Sequence, residues 1–260
     1  MPESRITEIT FEKDNFVATI TLNRPQKLNA ITTEMSVELA RLVTECNSDT
    51  EVRVVILTGA GTKAFCAGSD VRELDTYNTA WAFRNRFEYC DVIRALRKPM
   101  ICAINGYCLG GGLELALAGD IRLAVDSAQF GAPEIKLGWI GGGGMAFGLT
   151  RTVGPSNAAL MLFTGDPISA TQALAWGLVS ELVSAERLLA RARQIAGIIA
   201  QRPPIAAETA KINLRAAYAM FREEAIRYER DLQTICFATE DATEGRNAFK
   251  EKRSGIFQGK

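Results

Sequence analysis

The stretch Gly106-Tyr107-Cys108-Leu109-Gly110-Gly111-Gly112-Leu113-Glu114 decides how this 260-residue chain is read. It follows Met100–Ile104, a short apolar run that reads as a buried strand. It leads into apolar residues that predict a helix over 110–117, opening on three glycines. A strand turning through glycines into a helix leaves backbone N–H groups unpaired and outward-facing, where the helix dipole favours negative charge. One turn inside this helix a single glutamate, Glu114, stands between Leu113 and Leu115. A second, Glu134, follows the turn-forming Gln129-Phe130-Gly131-Ala132-Pro133, twenty residues on.

The chain contains no histidine, which removes the commonest general base and the commonest metal ligand. Serine–histidine and cysteine–histidine hydrolysis and histidine-ligated zinc are excluded, and any acid–base chemistry falls to carboxylates. No metal site is expected. Thirty basic residues balance thirty acidic ones, so no global field attracts nucleic acid or a membrane surface. No apolar run is long enough to span a bilayer. Met1-Pro2-Glu3-Ser4-Arg5 lacks the apolar core of a signal peptide and the arginine-rich, acid-poor look of a transit peptide. Cysteines 46, 66, 90, 102, 108 and 236 form no C-x-x-C pair and read as small hydrophobes in a reducing, cytoplasmic compartment.

Working outward, residues 5–23 predict a hairpin about the polar cluster Glu12–Asn15, stopped by Arg24-Pro25-Gln26. Thr32 or Thr33 caps a helix with the apolar stripe Met35, Leu39, Leu42, Val43 and Cys46. Val52–Leu57 reads as a buried strand, 58–70 as a loop, 77–97 as mostly helical, and Ile121–Val125 as another strand. Helices are expected at 154–163, 169–175, 186–200, 204–219 and 221–237, with one short strand near Leu178–Leu182. Pro203-Pro204 sets a boundary near 200, between an α/β core (1–200) and a helical region (201–260).

A second glycine-bearing loop, Lys63-Ala64-Phe65-Cys66-Ala67-Gly68-Ser69-Asp70-Val71, also follows a strand and ends at a helix start. Two such loops converging would form an oxyanion hole. Gly59–Ala64 and Gly141–Ala146 both fit the dinucleotide-binding pattern G-x-G-x-x-A. Yet Phe65-Cys66-Ala67-Gly68 is poor helix and Lys136–Ile140 is hardly a strand, so the pattern is weak in both places. Each glutamate has a plainer alternative: Glu114 buried against Arg122, and Glu134 complementing the dipole of a first helical turn.

These segments, in order, resemble the enoyl-CoA hydratase/isomerase (crotonase) superfamily over nearly the whole length. The resemblance runs from Leu22-Asn23-Arg24-Pro25 and Leu28-Asn29-Ala30 through Leu57-Thr58-Gly59, Ala64–Asp70, Asn105-Gly106-Tyr107 and Gly110–Ala116. It continues through Phe130–Ile135 and Thr164-Gly165-Asp166 to Glu244–Arg253. It implies an α/β, crotonase-like spiral of ββα units with a helical C-terminal trimerisation region, and homotrimers commonly paired into hexamers. It implies an acyl-CoA thioester substrate, with coenzyme A entering as part of that substrate and no separate cofactor. The thioester oxygen would sit between the amides of Ser69 and Gly111, with Glu114 and Glu134 as catalytic carboxyls and the Gly142 amide holding water. Contacts to substrate and coenzyme would come from Arg24, Lys27, Leu28, Ala30, Ala64, Ala67, Gly68, Asp70 and Val71. Phe249 and Lys252 would reach the coenzyme, commonly from a neighbouring subunit. Arg253 reads instead as a solvated surface cation.

The activity so implied is hydration of a 2-enoyl-CoA thioester. Double-bond isomerisation and dehydration of a hydroxyacyl-CoA are the alternatives within the family. A non-catalytic acyl-CoA- or RNA-binding scaffold is the alternative outside catalysis, and helices bearing Arg187, Arg191 and Arg193 rather than lysines speak against RNA. Ser69 departs from the commoner alanine, and Trp139–Gly144 from a proline-containing loop. Trp81, Phe83 and Phe87 fall in the variable helix that shapes the acyl pocket in the family.

Overall fold

The computed structural model describes residues 7–260; the Met1–Arg5 segment and Ile6 of the expected hairpin lie outside the described residues. Strands β1 (Ile9–Asp14) and β2 (Val17–Leu22) pair antiparallel, with Asp14 opposite Val17. The polar cluster is therefore not the turn. The strand runs through Asp14, and Asn15 and Phe16 turn the chain with φ of 49° and 65°, both positive as tight hairpins require. Phe16 tolerates this unusual conformation because Arg53 lies over its ring at 4.2 Å and the Arg53 amide donates to its carbonyl.

Eight further strands follow: β3 (Val54–Gly59), β4 (Ala64–Cys66), β5 (Met100–Ile104), β6 (Tyr107–Leu109), β7 (Ile121–Val125), β8 (Gln129–Gly131), β9 (Ile168–Ser169) and β10 (Glu181–Val183). The main sheet runs β1-β2-β3-β5-β7-β10, parallel from β2 onward. Every residue of β3 and β5 is buried, which explains their unbroken apolar runs: both faces are covered. A second sheet, β4-β6-β8-β9, was not visible in the sequence. Its strands span two or three residues, too short for an alternating pattern.

Three times a main-sheet strand hands over to a short strand of the second sheet and then to helix: β3–β4, β5–β6 and β7–β8. This is the ββα spiral. The helix Thr33–Ser48 starts at Thr32, whose hydroxyl accepts from the Met35 amide at 3.1 Å, and buries Leu39 and Leu42 completely. The expected helical stretch 77–97 is broken into Ala80–Arg84 and Tyr89–Arg94, after a single turn at Val71–Leu74. Thr79 and Glu88 each cap a new start with their own side chains, so no one helix forms. A helix at Met145–Val153 was not anticipated, whereas Glu240–Glu251 falls within the helical region expected over 201–260.

The C-terminal helices Pro204–Ala219 and Arg222–Phe237 complete the chain together with Glu240–Glu251. The buried Lys211 ties the first of them to the core, donating to Asp120 at 2.8 Å and to the Lys98 carbonyl at 2.8 Å. Arg53 reaches the carbonyls of Ala200 and Phe257. Phe221, Phe237 and Phe249 stay exposed on these helices. No helix among the described residues is long and apolar enough to cross a membrane.

Candidate active site

The two glycine-bearing loops meet. Gly68 adopts φ of +100°, and a Cβ there would stand 2.9 Å from the Gly111 nitrogen. Gly112 packs as closely, since a Cβ on it would meet the Cys66 carbonyl oxygen at 2.1 Å. Segment 67–70 is fixed from its other side by 28–31: Ala67 donates to Leu28, Ile31 to Gly68 and Asp70 to Ile31, at 2.8–3.0 Å. Neither the Ser69 nor the Gly111 amide makes a hydrogen bond among the described residues. Two unpaired donors thus stand side by side at the mouth of the helix Gly111–Ala118.

Glu114 lies on that helix, 5% exposed. Its Oε1 accepts from the amides of Gly143 at 2.7 Å and Met145 at 3.1 Å. Burial pushes its pKa up to about 7, the two amides hold it down, and the charges of Glu134 and Glu88 add to the rise. Glycine is needed opposite it: a Cβ on Gly141 or Gly143 would fall within 2.8 Å or 2.6 Å of the carboxylate oxygens. The alternative pairing with Arg122 does not occur. Arg122 is engaged by the carbonyls of Ala116, Gly119 and Leu178.

Glu134 enters from a 3₁₀ turn, Pro133–Leu137, directly after β8. Its Oε1 sits 2.9 Å from where a Cβ of Gly110 would stand, and Gly110 has φ of +53°. Its Oε2 is buried without a hydrogen-bond partner among the described residues, and burial raises its pKa. A carboxyl with a bare buried oxygen is poised to hold a proton or meet a ligand, beyond complementing a helix dipole.

The dinucleotide readings fail on geometry. Gly59–Ala64 runs into strand β4 rather than a helix, and at the second place the amides of Gly143 and Met145 are taken by Glu114. Gly142 is exposed at the same loop, with Arg86 beside it. Leu28, Ala67 and Gly68 belong to the hydrogen bonds above, Ala30 accepts from Arg24, and Ala64 is buried in β4 with its carbonyl accepting from Asn29. Asp70 caps the turn Val71–Leu74. Arg24 is not a free cation: it bridges Asp70 at 3.1 Å, Glu8 at 2.9 Å and the Ala30 carbonyl at 2.8 Å. Lys27 is exposed and forms no ion pair among the described residues. Val71 is exposed.

Phe249 is exposed on the last helix, and Lys252 closes that helix in a left-handed conformation. No hydrogen bond or ion pair links either to the glutamates, Ser69 or Gly111 within this chain. Arg253 is paired with Glu244 and Glu251, in keeping with a surface role.

Sequence reasoning missed Asn29 and Tyr89. The fully buried Asn29 donates to the carbonyls of Ala60 and Ala64 and accepts from the Arg24 amide, tying segment 24–29 to segment 60–64. Its signals were its place in Leu28-Asn29-Ala30 and an uncharged polar side chain between apolar neighbours. Tyr89, buried beside Ser69, gave none beyond being aromatic.

Residues 12–260 match the family described as enoyl-CoA hydratase/isomerase. The mitochondrial enoyl-CoA hydratase of Pongo abelii is 42% identical over 95% of this chain and 85% of its own. The short-chain-enoyl-CoA hydratase of Clostridium acetobutylicum is 38% identical over 95% and 96%. The crystal structure of an enoyl-CoA hydratase from Bacillus anthracis superposes with a TM-score of 0.91 at 36% identity, covering 97% of this chain and all of that one. With a ββα spiral, a family match over residues 12–260 and relatives at about 40% identity, the chain belongs to the enoyl-CoA hydratase/isomerase family.

Proposed function

We propose that the protein is an enoyl-CoA hydratase, adding water across the 2,3 double bond of a 2-enoyl-CoA thioester to give the 3-hydroxyacyl-CoA. The observation that carries this reading is the carboxyl pair Glu114 and Glu134, both with raised pKa, beside the unpaired Ser69 and Gly111 amides.

In this reading the two amides receive the thioester oxygen and draw charge onto it, which makes Cβ electrophilic. The carboxyls titrate as a pair. Two amide donors favour the anion on Glu114, and the bare Oε2 favours the proton on Glu134. Glu114 takes a proton from the water held at Gly142 as the hydroxyl bonds to Cβ, and Glu134 delivers its proton to Cα. The two protons balance, leaving the pair exchanged and ready to reset through solvent. Coenzyme A belongs to the substrate, and no separate cofactor takes part.

The exposed apolar residues of the C-terminal helices support assembly into a homotrimer or hexamer. Such an assembly brings Phe249 and Lys252 of one subunit toward the coenzyme of another. With Arg24 compensated by two carboxylates, Lys27 and Lys252 remain to meet the phosphates. Five buried free cysteines suit a reducing, cytoplasmic setting. A panel of 2-enoyl-CoA thioesters of increasing chain length, followed by loss of the enoyl absorbance, tests the activity and finds the preferred acyl group. No loss on any member contradicts it.

A further inference from the structure

The helix Tyr89–Arg94 places one hydroxyl against the oxyanion site that the backbone alone does not explain. Tyr89 is buried, and its Oη lies 3.0 Å from Ser69 Oγ. That same Oη stands 1.8 Å from where a Cβ on Gly111 would be, so the phenol oxygen rests on the Cα of Gly111. The two residues it touches are those whose amides are unpaired. The phenol stays neutral, because burial pushes its pKa well above the ordinary value. A neutral phenol has one O–H to donate and can accept another.

We infer that Tyr89 is a third donor to the substrate's thioester oxygen, oriented by Ser69. The inference rests on the hydratase reading above. The hydroxyl of Ser69 donates to Tyr89 Oη, and the Tyr89 O–H donates to the oxygen that gains charge as water adds. Chained donors polarise one another, so the Ser69 hydroxyl strengthens the phenol's bond. In this arrangement Ser69 acts twice, as an amide donor to the oxygen and as the positioning residue for Tyr89. The phenol touches the reacting thioester and is catalytic in that sense. Among the described residues Ser69 is the one hydrogen-bond partner of the Oη.

The experiment compares the wild type, Tyr89→Phe and Ser69→Ala on crotonyl-CoA. Phenylalanine keeps the ring and its packing while removing only the donor. Losing one such donor lowers kcat by roughly a hundredfold in a strongly coupled site, and at least about tenfold is expected here, with KM changed less than threefold. Ser69→Ala keeps both amides and the phenol and is expected to lose less, about threefold to tenfold. A second readout separates catalysis from structure: the absorption band of bound 4-dimethylaminocinnamoyl-CoA moves to the red as its thioester oxygen is polarised. That shift shrinks in Tyr89→Phe if the phenol donates to the oxygen. Wild-type kcat and an unchanged red shift in Tyr89→Phe overturn the inference while leaving the hydratase reading intact. A wild-type protein that hydrates no enoyl thioester overturns both.

Discussion

Glu114 Oε1 accepts the amide of Gly143 at 2.7 Å, across 29 residues of sequence. The bond joins the helix of one spiral turn to the glycine loop of the next, and it sets where the carboxylate points. The second amide, of Met145, removes the remaining freedom of that oxygen. Oε2 is left to act on a ligand.

Replacing either carboxyl by an amide removes proton transfer without changing shape. Glu114→Gln and Glu134→Gln are each expected to lower hydration kcat by at least about a hundredfold. Circular dichroism should match the wild type. Near-normal turnover in either variant ends the assignment of that glutamate.

The raised pKa of Glu114 predicts an acid limb in the rate profile. Hydration needs Glu114 ionised, so kcat/KM should fall as pH drops through about 7. The stability effect has the opposite slope. Between the ordinary carboxylate range and about 7 the folded state binds the extra proton, so stability falls as pH rises through this window. Glu114→Gln should make that decline between pH 5 and 8 shallower in thermal melts, leaving the share of Glu134, whose pKa burial also raises. A Glu114→Gln melting profile parallel to the wild type would falsify the burial account of the shift.

Glycine at 143 is needed for geometry rather than for flexibility. A Cβ there would meet Glu114 Oε2 at 2.6 Å and Cys90 Sγ at 2.9 Å. Gly143→Ala should therefore displace the carboxylate and reduce kcat by at least about tenfold, with stability lowered by about 1–3 kcal/mol. Gly112→Ala has no flexible neighbour to push, because the obstacle is the Cys66 carbonyl at 2.1 Å. It should unfold at markedly lower denaturant or fail to accumulate as folded protein.

Lys211 is a buried polar tie between the helix Pro204–Ala219 and the core. Removing one partner of a buried pair strands the other, here Asp120, at a cost of about 3–5 kcal/mol. Lys211→Ala should show this loss in chemical denaturation. A loss below about 1 kcal/mol means the pair is effectively solvated.

Much of this was legible in the chain because its signals are local. Met100–Ile104, Ile121–Val125 and the helix Pro204–Ala219 fall where apolar runs and Pro203-Pro204 put them. The glutamates stood out because histidine is absent and each lies beside a glycine turn. The second sheet was hidden because strands such as Ile168–Ser169 carry no periodicity. The hairpin turn was misplaced because Phe16 in a left-handed conformation depends on Arg53, thirty-seven residues away. The Tyr89–Ser69 contact and the occupancy of Arg24 by Asp70 and Glu8 are likewise tertiary, and no spacing rule announces them.

The central claim is that the carboxyl pair adds water to an enoyl thioester. Its most direct measurement is turnover of crotonyl-CoA in heavy-oxygen water, with a parallel run in deuterium oxide and mass analysis of the product. The account predicts a 3-hydroxyacyl-CoA carrying the heavy oxygen at Cβ and, from the parallel run, deuterium at Cα, with both lost in Glu114→Gln and Glu134→Gln. A product with a shifted double bond and no incorporated oxygen, or no product at all, would contradict it.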